Sequence, residues 1–83
     1  MKSPIKIRIF GQDYLIRSRE GEEYVLAAAK LVDEKMRQVA EKTPSAGTLN
    51  VAVLAALNLA GDFLKAQRRS KELASLIEEN LKN

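Results

Sequence analysis

Thr48-Leu-Asn-Val-Ala-Val-Leu-Ala-Ala-Leu-Asn-Leu-Ala-Gly-Asp-Phe-Leu64 runs into Lys65-Ala-Gln-Arg-Arg-Ser-Lys-Glu-Leu-Ala-Ser-Leu-Ile-Glu-Glu-Asn-Leu-Lys82 without a proline. The single Gly61 costs only about 1 kcal/mol relative to alanine inside a helix. One continuous helix of about 50 Å is therefore expected at about 1.5 Å per residue. That is longer than the rest of an 83-residue chain can cover. Its first half, Leu49 to Leu64, carries Val51, Val53, Leu54, Leu57, Leu59, Ala60 and Phe63, which cannot share one stripe. A helix apolar on all sides is buried on all sides. One face can take the rest of the chain, which leaves another for a second chain. The series Leu49, Val53, Ala56, Ala60, Phe63, Gln67, Ser70, Ala74, Ile77, Leu81 steps by four and three, the spacing of a coiled-coil seam. It is apolar at each end and polar at Gln67 and Ser70. Leu73, Leu76, Ile77 and Leu81 project past any folded head, so their burial needs another chain. The oligomer contacts expected are Leu54, Leu57, Phe63, Leu64, Leu73, Ile77 and Leu81.

Upstream, Thr43-Pro-Ser-Ala-Gly-Thr48 breaks the chain through Pro44 and Gly47, with Thr48 expected to cap the long helix. From about Glu22 to Lys42, Val25, Ala28, Ala29, Val32, Met36 and Val39 recur at three- and four-residue steps, an amphipathic helix. Glu22 and Glu23 at its start and Lys42 at its end suit the helix dipole. Further upstream, Ile5, Ile7 and Ile9 alternate with Lys6, Arg8 and Phe10, and Tyr14 to Arg17 repeats the alternation, as in strands with one buried face. Gly11-Gln12 between them suits a type II′ hairpin turn with glycine supplying the positive φ. That turn pairs Ile9 with Tyr14 and Ile7 with Ile16, and leaves Phe10 and Leu15 on the outer face with Lys6, Arg8, Asp13 and Arg17. A two-stranded ribbon is marginal alone, so it must lie on a helix or pair at its edge. The fold expected is α+β: an N-terminal β-hairpin, one amphipathic helix and a long C-terminal helix that forms an intermolecular coiled coil or helix bundle. A head spans 1–64 (hairpin 4–17, helix about 22–42, first half of the long helix about 48–64), and a coiled-coil extension spans 65–83.

Composition narrows the chemistry. The chain has neither cysteine nor histidine, which removes disulfides, thiol nucleophiles, imidazole or thiolate metal sites and the usual general base. No phosphate-cradling glycine run accompanies Gly11. Asp62, Glu72, Glu78 and Glu79 read as solvated helix charges rather than paired catalytic carboxylates. The expectation is a protein that binds rather than catalyses, with no cofactor and no metal. The N-terminus lacks the unbroken apolar run of a signal peptide. The stretch from Leu49 to Leu64 is interrupted by Asn50, Asn58, Gly61 and Asp62 and is too short to span a bilayer, so a cytoplasmic protein without a membrane anchor is expected.

Net charge is +3, with nine basic against seven acidic residues up to Thr43 and five against four after it. That balance does not force a polyanionic partner. Lys65, Arg68, Arg69 and Lys71 form a basic cluster, but Asp62 and Glu72 flank it and no aromatics interleave, so nucleic acid is a secondary reading. Asn58, inside Leu54-Ala-Ala-Leu-Asn-Leu59, must find hydrogen-bond partners, since an unpaired buried amide costs about 1–3 kcal/mol. Backbone at the hairpin or loop is the expected partner, and the amide could also set helix register. Arg17 and Arg19 after the hairpin, with Lys35 and Lys42 on the first helix, remain as head charges. Doubled by symmetry they would form an array suited to an acidic polymer surface.

Several of these segments resemble a known family. Ile5-Lys-Ile-Arg-Ile-Phe-Gly11, Glu22-Glu-Tyr with Ala28-Ala29, Val32-Asp-Glu-Lys-Met36 and above all Val53-Leu-Ala-Ala-Leu-Asn58 look like the ZapA family of bacterial cell-division proteins, over the whole chain. The resemblance implies a non-enzymatic protein of the division septum that binds the tubulin-like GTPase FtsZ and promotes association of its filaments. It also implies dimers formed through the head and tetramers formed through the C-terminal helices, with a head at each end. In longer members that helix continues beyond the position of Asn83, so a tetramer here would rest on a shorter seam. Two other readings predict different partners: a small nucleic-acid-binding oligomer using Lys65 to Lys71, and a generic coiled-coil scaffold.

Overall fold

The computed structural model describes residues 3–82, without the side chains of residues 81 and 82. Alternating isoleucines at the N-terminus form β1 (Ile5–Ile9), which pairs antiparallel with β2 (Gln12–Ile16) in a two-stranded sheet. The pairs are Ile9 with Gln12, Ile7 with Tyr14 and Ile5 with Ile16. This register lies two residues along β2 from the one the Gly11-Gln12 turn predicts. Because side chains alternate with period two, an even slip leaves the strand residues on their expected faces, and Phe10, expected on the outer face, changes place. Ile5, Ile7, Ile9, Tyr14 and Ile16 still share the inner face, and Lys6, Arg8, Asp13 and Leu15 the outer one.

The loop residues are Phe10 and Gly11, with φ of 50° and 80°, the two positive values of a type I′ turn. Left-handed backbone costs a non-glycine residue about 1–2 kcal/mol. Two interactions offset that cost. The Phe10 ring packs against the cluster of Met36, Val39, Val51 and Ala55, and full burial of a phenylalanine is worth about 1.5–3 kcal/mol. The Phe10 N–H also donates to Asp33 Oδ1 at 2.7 Å. In the expected register Phe10 would sit in a strand on the outer face and lose both.

Helix α1 (Glu22–Lys42) follows the amphipathic pattern, with Val25, Ala29, Met36 and Val39 buried. It ends where Thr43 turns back: its N–H and its Oγ1 both donate to the Val39 carbonyl, at 2.9 and 2.8 Å. Pro44 then occupies the second position of a turn closed by the Ala46 N–H on the Thr43 carbonyl at 3.0 Å, as its fixed φ favours. Ile7, Val25 and Ala29 form a small core between β1 and α1. Met36, Val39, Val51 and Ala55 form the second, between the two helices.

Helix α2 (Thr48–Lys82) contains 35 residues, about 52 Å at about 1.5 Å per residue. Its first backbone bond runs from the Val51 N–H to the Gly47 carbonyl, so Gly47 holds the cap position, one residue before the expected cap, and Thr48 is the first helical residue. α2 packs on α1, and α1 on β1, so the first helix is the middle layer. Among the described side chains of α2, only Val51 (2% exposed) and Ala55 (1%) are buried. Lys35 on α1 reaches Asp62 on α2 at 3.2 Å and braces the helix pair near its open end. One expectation changes: as part of this continuous helix, the apolar stretch belongs to a segment that is long and apolar enough to cross a bilayer by length and composition, its most apolar 18-residue window having a mean hydropathy of 1.4. Asp62 pairing with α1 and packing of Val51 and Ala55 into the core account for one side of that helix without a membrane.

Candidate functional site

The outer face of the hairpin is a charged surface with an apolar centre. Asp13 lies between two cations, 2.9 Å from Arg8 Nη1 and 3.7 Å from Lys6 Nζ. Leu15, directly across from Lys6, is 70% exposed. Arg17 and Arg19 are exposed in the segment that joins β2 to α1.

Within one chain the expected head cations have different settings. Lys35, read from sequence as an outward charge, has a side chain only 23% exposed and engaged with Asp62. A lysine on the first helix can meet an aspartate on the second only through their crossing, which periodicity does not reveal. Lys42 is exposed at the far end of α1, about 30 Å from its first turn for 21 residues. Arg17 and Arg19 follow β2 just before the first turn of α1, and Lys42 lies at the opposite end of that helix, where Ala40 and Glu41 border the Phe10 turn.

Asp33 is the residue sequence reasoning missed. It accepts from the Phe10 N–H and, through Oδ2, from Arg37 Nε at 3.0 Å. The backbone donor of Phe10 first, then the Arg37 guanidinium, hold its carboxyl below the ordinary value. The only sequence signal was the Phe-Gly pair, whose left-handed first residue calls for an anchor. Asn58 is corrected as well. It is exposed and donates through Nδ2 to the Leu54 carbonyl one turn back on its own helix at 2.9 Å, not to hairpin or loop.

The remaining surface is apolar. Leu49 (76% exposed), Val53, Leu54, Leu57 (65%), Phe63 and Leu64 are exposed on the first half of α2, and Leu73, Leu76 and Ile77 on the distal half. These include the expected oligomer contacts apart from Leu81, which lies outside the residues whose side chains are described. A groove of about 530 Å³ separates the inner hairpin face from the start of α2, lined by Ile9, Tyr14, Ile16, Met36, Leu49 and Ala52 among others. A second, of about 300 Å³, runs between the hairpin and the first half of α1, past Ile16, Tyr24 and Ala28. Neither has an ionisable group in its lining beyond the Tyr14 and Tyr24 phenols. A monomer seldom exposes so much contiguous apolar surface, and such patches mark association sites. The arrangement is built to bind, and the chemistry it offers is burial and charge pairing.

The comparisons agree in kind. The sequence model of the family described as "Cell division protein ZapA" matches residues 5–83. A ZapA from Geobacillus kaustophilus is 37% identical over 81 residues, covering 98% of this chain and 85% of the relative. One from Geobacillus thermodenitrificans is 35% identical over 89% of this chain and 81% of the relative. Among solved structures, an "unknown conserved bacterial protein" from Pseudomonas aeruginosa PAO1 superposes with a TM-score of 0.80 at 27% identity, over 98% of this chain and 90% of that one. A ZapA mutant dimer from Geobacillus stearothermophilus superposes with a TM-score of 0.71 at 32% identity, over 94% and 91%.

Proposed function

The chain belongs to the ZapA family of cell division proteins, and from that premise we propose that it is a cytoplasmic, non-enzymatic adaptor that self-associates, binds FtsZ filaments and bundles them at the division septum. The observation that carries this reading is the apolar face of α2 from Leu49 to Leu64, which the chain itself leaves uncovered. A second copy is its natural cover, and the dimer of the similar Geobacillus stearothermophilus protein supports that choice. Two copies present two hairpin faces, each with Leu15 beside the Lys6, Arg8 and Asp13 charges and followed in the chain by exposed Arg17 and Arg19. Such a doubled cationic surface with an apolar centre suits an acidic filament. Steering by charge brings the partners together, and the apolar contact holds them. The coiled-coil extension over 65–83 offers Leu73, Leu76 and Ile77 for joining dimers into tetramers.

Low-speed sedimentation of FtsZ polymer with GTP tests the reading. Added protein should increase pelleted polymer, and Leu15→Asp should abolish the increase while leaving the circular dichroism melt unchanged. Absence of extra pelleted polymer at every ratio would refute it. The basic hollow of Lys65, Arg68, Arg69 and Glu72 on α2 favours one second reading, binding of a nucleic acid backbone. It requires affinity for duplex DNA or RNA that falls steeply with salt, and a flat titration at low salt removes it.

A further inference from the structure

Gly61 sits in the interior of α2, where glycine weakens a helix. Nothing inside the chain explains it. A Cβ added there would meet no atom within 4 Å, and no positive φ is recorded for it. What surrounds Gly61 is the stripe Asn50, Leu54, Leu57, Gly61, Leu64, Arg68, which steps by four and three along one side of the helix. It is distinct from the α1-facing series Val51, Ala55, Leu59 and Asp62. Leu54, Leu57 and Leu64 are exposed, and the stripe carries no charge until Arg68.

We propose that two α2 helices of a dimer cross at Gly61, with Gly61 as the point of closest approach between the two copies. The inference rests on the self-association read above and adds where the helices touch. The stripe is self-complementary, as a two-fold interface requires. Leu57 precedes Gly61 by one turn and Leu64 follows it by nearly one, so these two side chains form ridges on either side of a notch. The same notch on a second copy accepts them, the ridge-into-groove arrangement that brings helix axes to the short end of their usual separation of about 8–10 Å. A side chain at position 61 would hold the two backbones apart. The cations beyond the stripe limit the contact to a crossing. Helices running in parallel register to the end would set Lys65, Arg68 and Arg69 against the same three residues of the second copy. A crossing of the roughly 50° class separates them within two turns.

Sedimentation equilibrium over a concentration series reads the proposal. Gly61→Leu improves helix propensity, so a glycine that matters only to its own helix would give a more stable protein and an unchanged dimer. A crossing at Gly61 gives the opposite: a dimer dissociation constant raised by roughly tenfold or more with helical content retained, and a smaller rise for Gly61→Ala. A Gly61→Leu dimer as tight as the original overturns the crossing and leaves self-association standing. An original protein that is monomeric throughout the series overturns both. Thiols give a second reading in this cysteine-free chain. Under mild oxidation Gly61→Cys should form a covalent dimer about tenfold faster than Arg68→Cys, because a disulfide needs Cα atoms about 4.4–6.8 Å apart. Equal rates at the two positions would mean helices running side by side, and would refute a crossing.

Discussion

Val51 and Val53 are the same residue type, two positions apart on one helix, with opposite environments: Val51 is 2% exposed and Val53 50% exposed in the single chain. Val51→Ala removes two buried methyl groups, a transfer loss of about 1.6 kcal/mol at about 0.8 kcal/mol each. Met36, Val39 and Ala55 around it are held by two helices and cannot close fully on the gap. A residual cavity adds up to about 1 kcal/mol at about 24 cal/mol per Å³, for a total of about 2–3 kcal/mol. Val53→Ala in an isolated chain loses about half the transfer figure, roughly 0.8 kcal/mol, and opens no cavity. If a second copy covers Val53, its cost rises toward that of Val51 and grows with protein concentration, because dissociation then competes with unfolding. Urea unfolding followed by circular dichroism at two protein concentrations, about fiftyfold apart, measures both. A Val51→Ala cost below about 1 kcal/mol would refute the placement of Val51 at the centre of the core. A small, concentration-independent Val53→Ala cost would refute coverage of that face.

Three further outcomes are expected. Asp33 has a folded pKa below its ordinary value of 3.8, so the stability it contributes is present above that value and lost as pH falls through the lower, folded one. Asp33→Asn should flatten the acid limb of the melting temperature against pH below about pH 4 relative to the original protein; parallel curves would show that this charge is not what holds the turn. Gly11→Ala meets no atom within 4 Å but keeps φ near +80°, so it should cost about 1–2 kcal/mol of backbone strain alone, with Gly11→Asn recovering part of it in the same urea assay. Breaking the Lys35–Asp62 pair by either alanine substitution should cost less than about 1 kcal/mol, since Asp62 is largely solvated. A double-mutant cycle gives the coupling, and a coupling near zero would deny the pair any bracing role.

The elements were legible because each carried its own punctuation. α1 begins at Glu22 and ends at Lys42, where acidic residues open it and Thr43-Pro44 closes it. The inner and outer faces of the hairpin followed from the isoleucines alone. The register did not, because Phe10-Gly11 and Gly11-Gln12 both make two-residue turns and give the same faces. The choice between them depends on Asp33, 23 residues away, and on a core that Phe10 can reach. Lys35 and Asn58 were misread for a related reason. Whether a polar side chain on a helix is free, paired across to a neighbour or bonded back to its own carbonyl depends on crossing geometry, which one-dimensional periodicity omits. The apolar excess on α2 was plain in the sequence, and the structure separates it into a face taken by α1 and a face left open.

The layering of the head gives β2 an unusual position. It bonds to β1 while its backbone stays more than 8 Å, Cα to Cα, from either helix, so within one chain its backbone depends on a single ladder and on a turn tied to Asp33. A segment so sparsely supported belongs to the low-stability end of a domain's local opening equilibria. Its amides should exchange with solvent orders of magnitude faster than those of the α1–α2 core while the chain is alone. Any copy or partner that seats in the groove beside Tyr14 and Ile16 would slow that exchange. The hairpin edge is therefore a built-in gauge of assembly, readable at individual amides before any bundle forms.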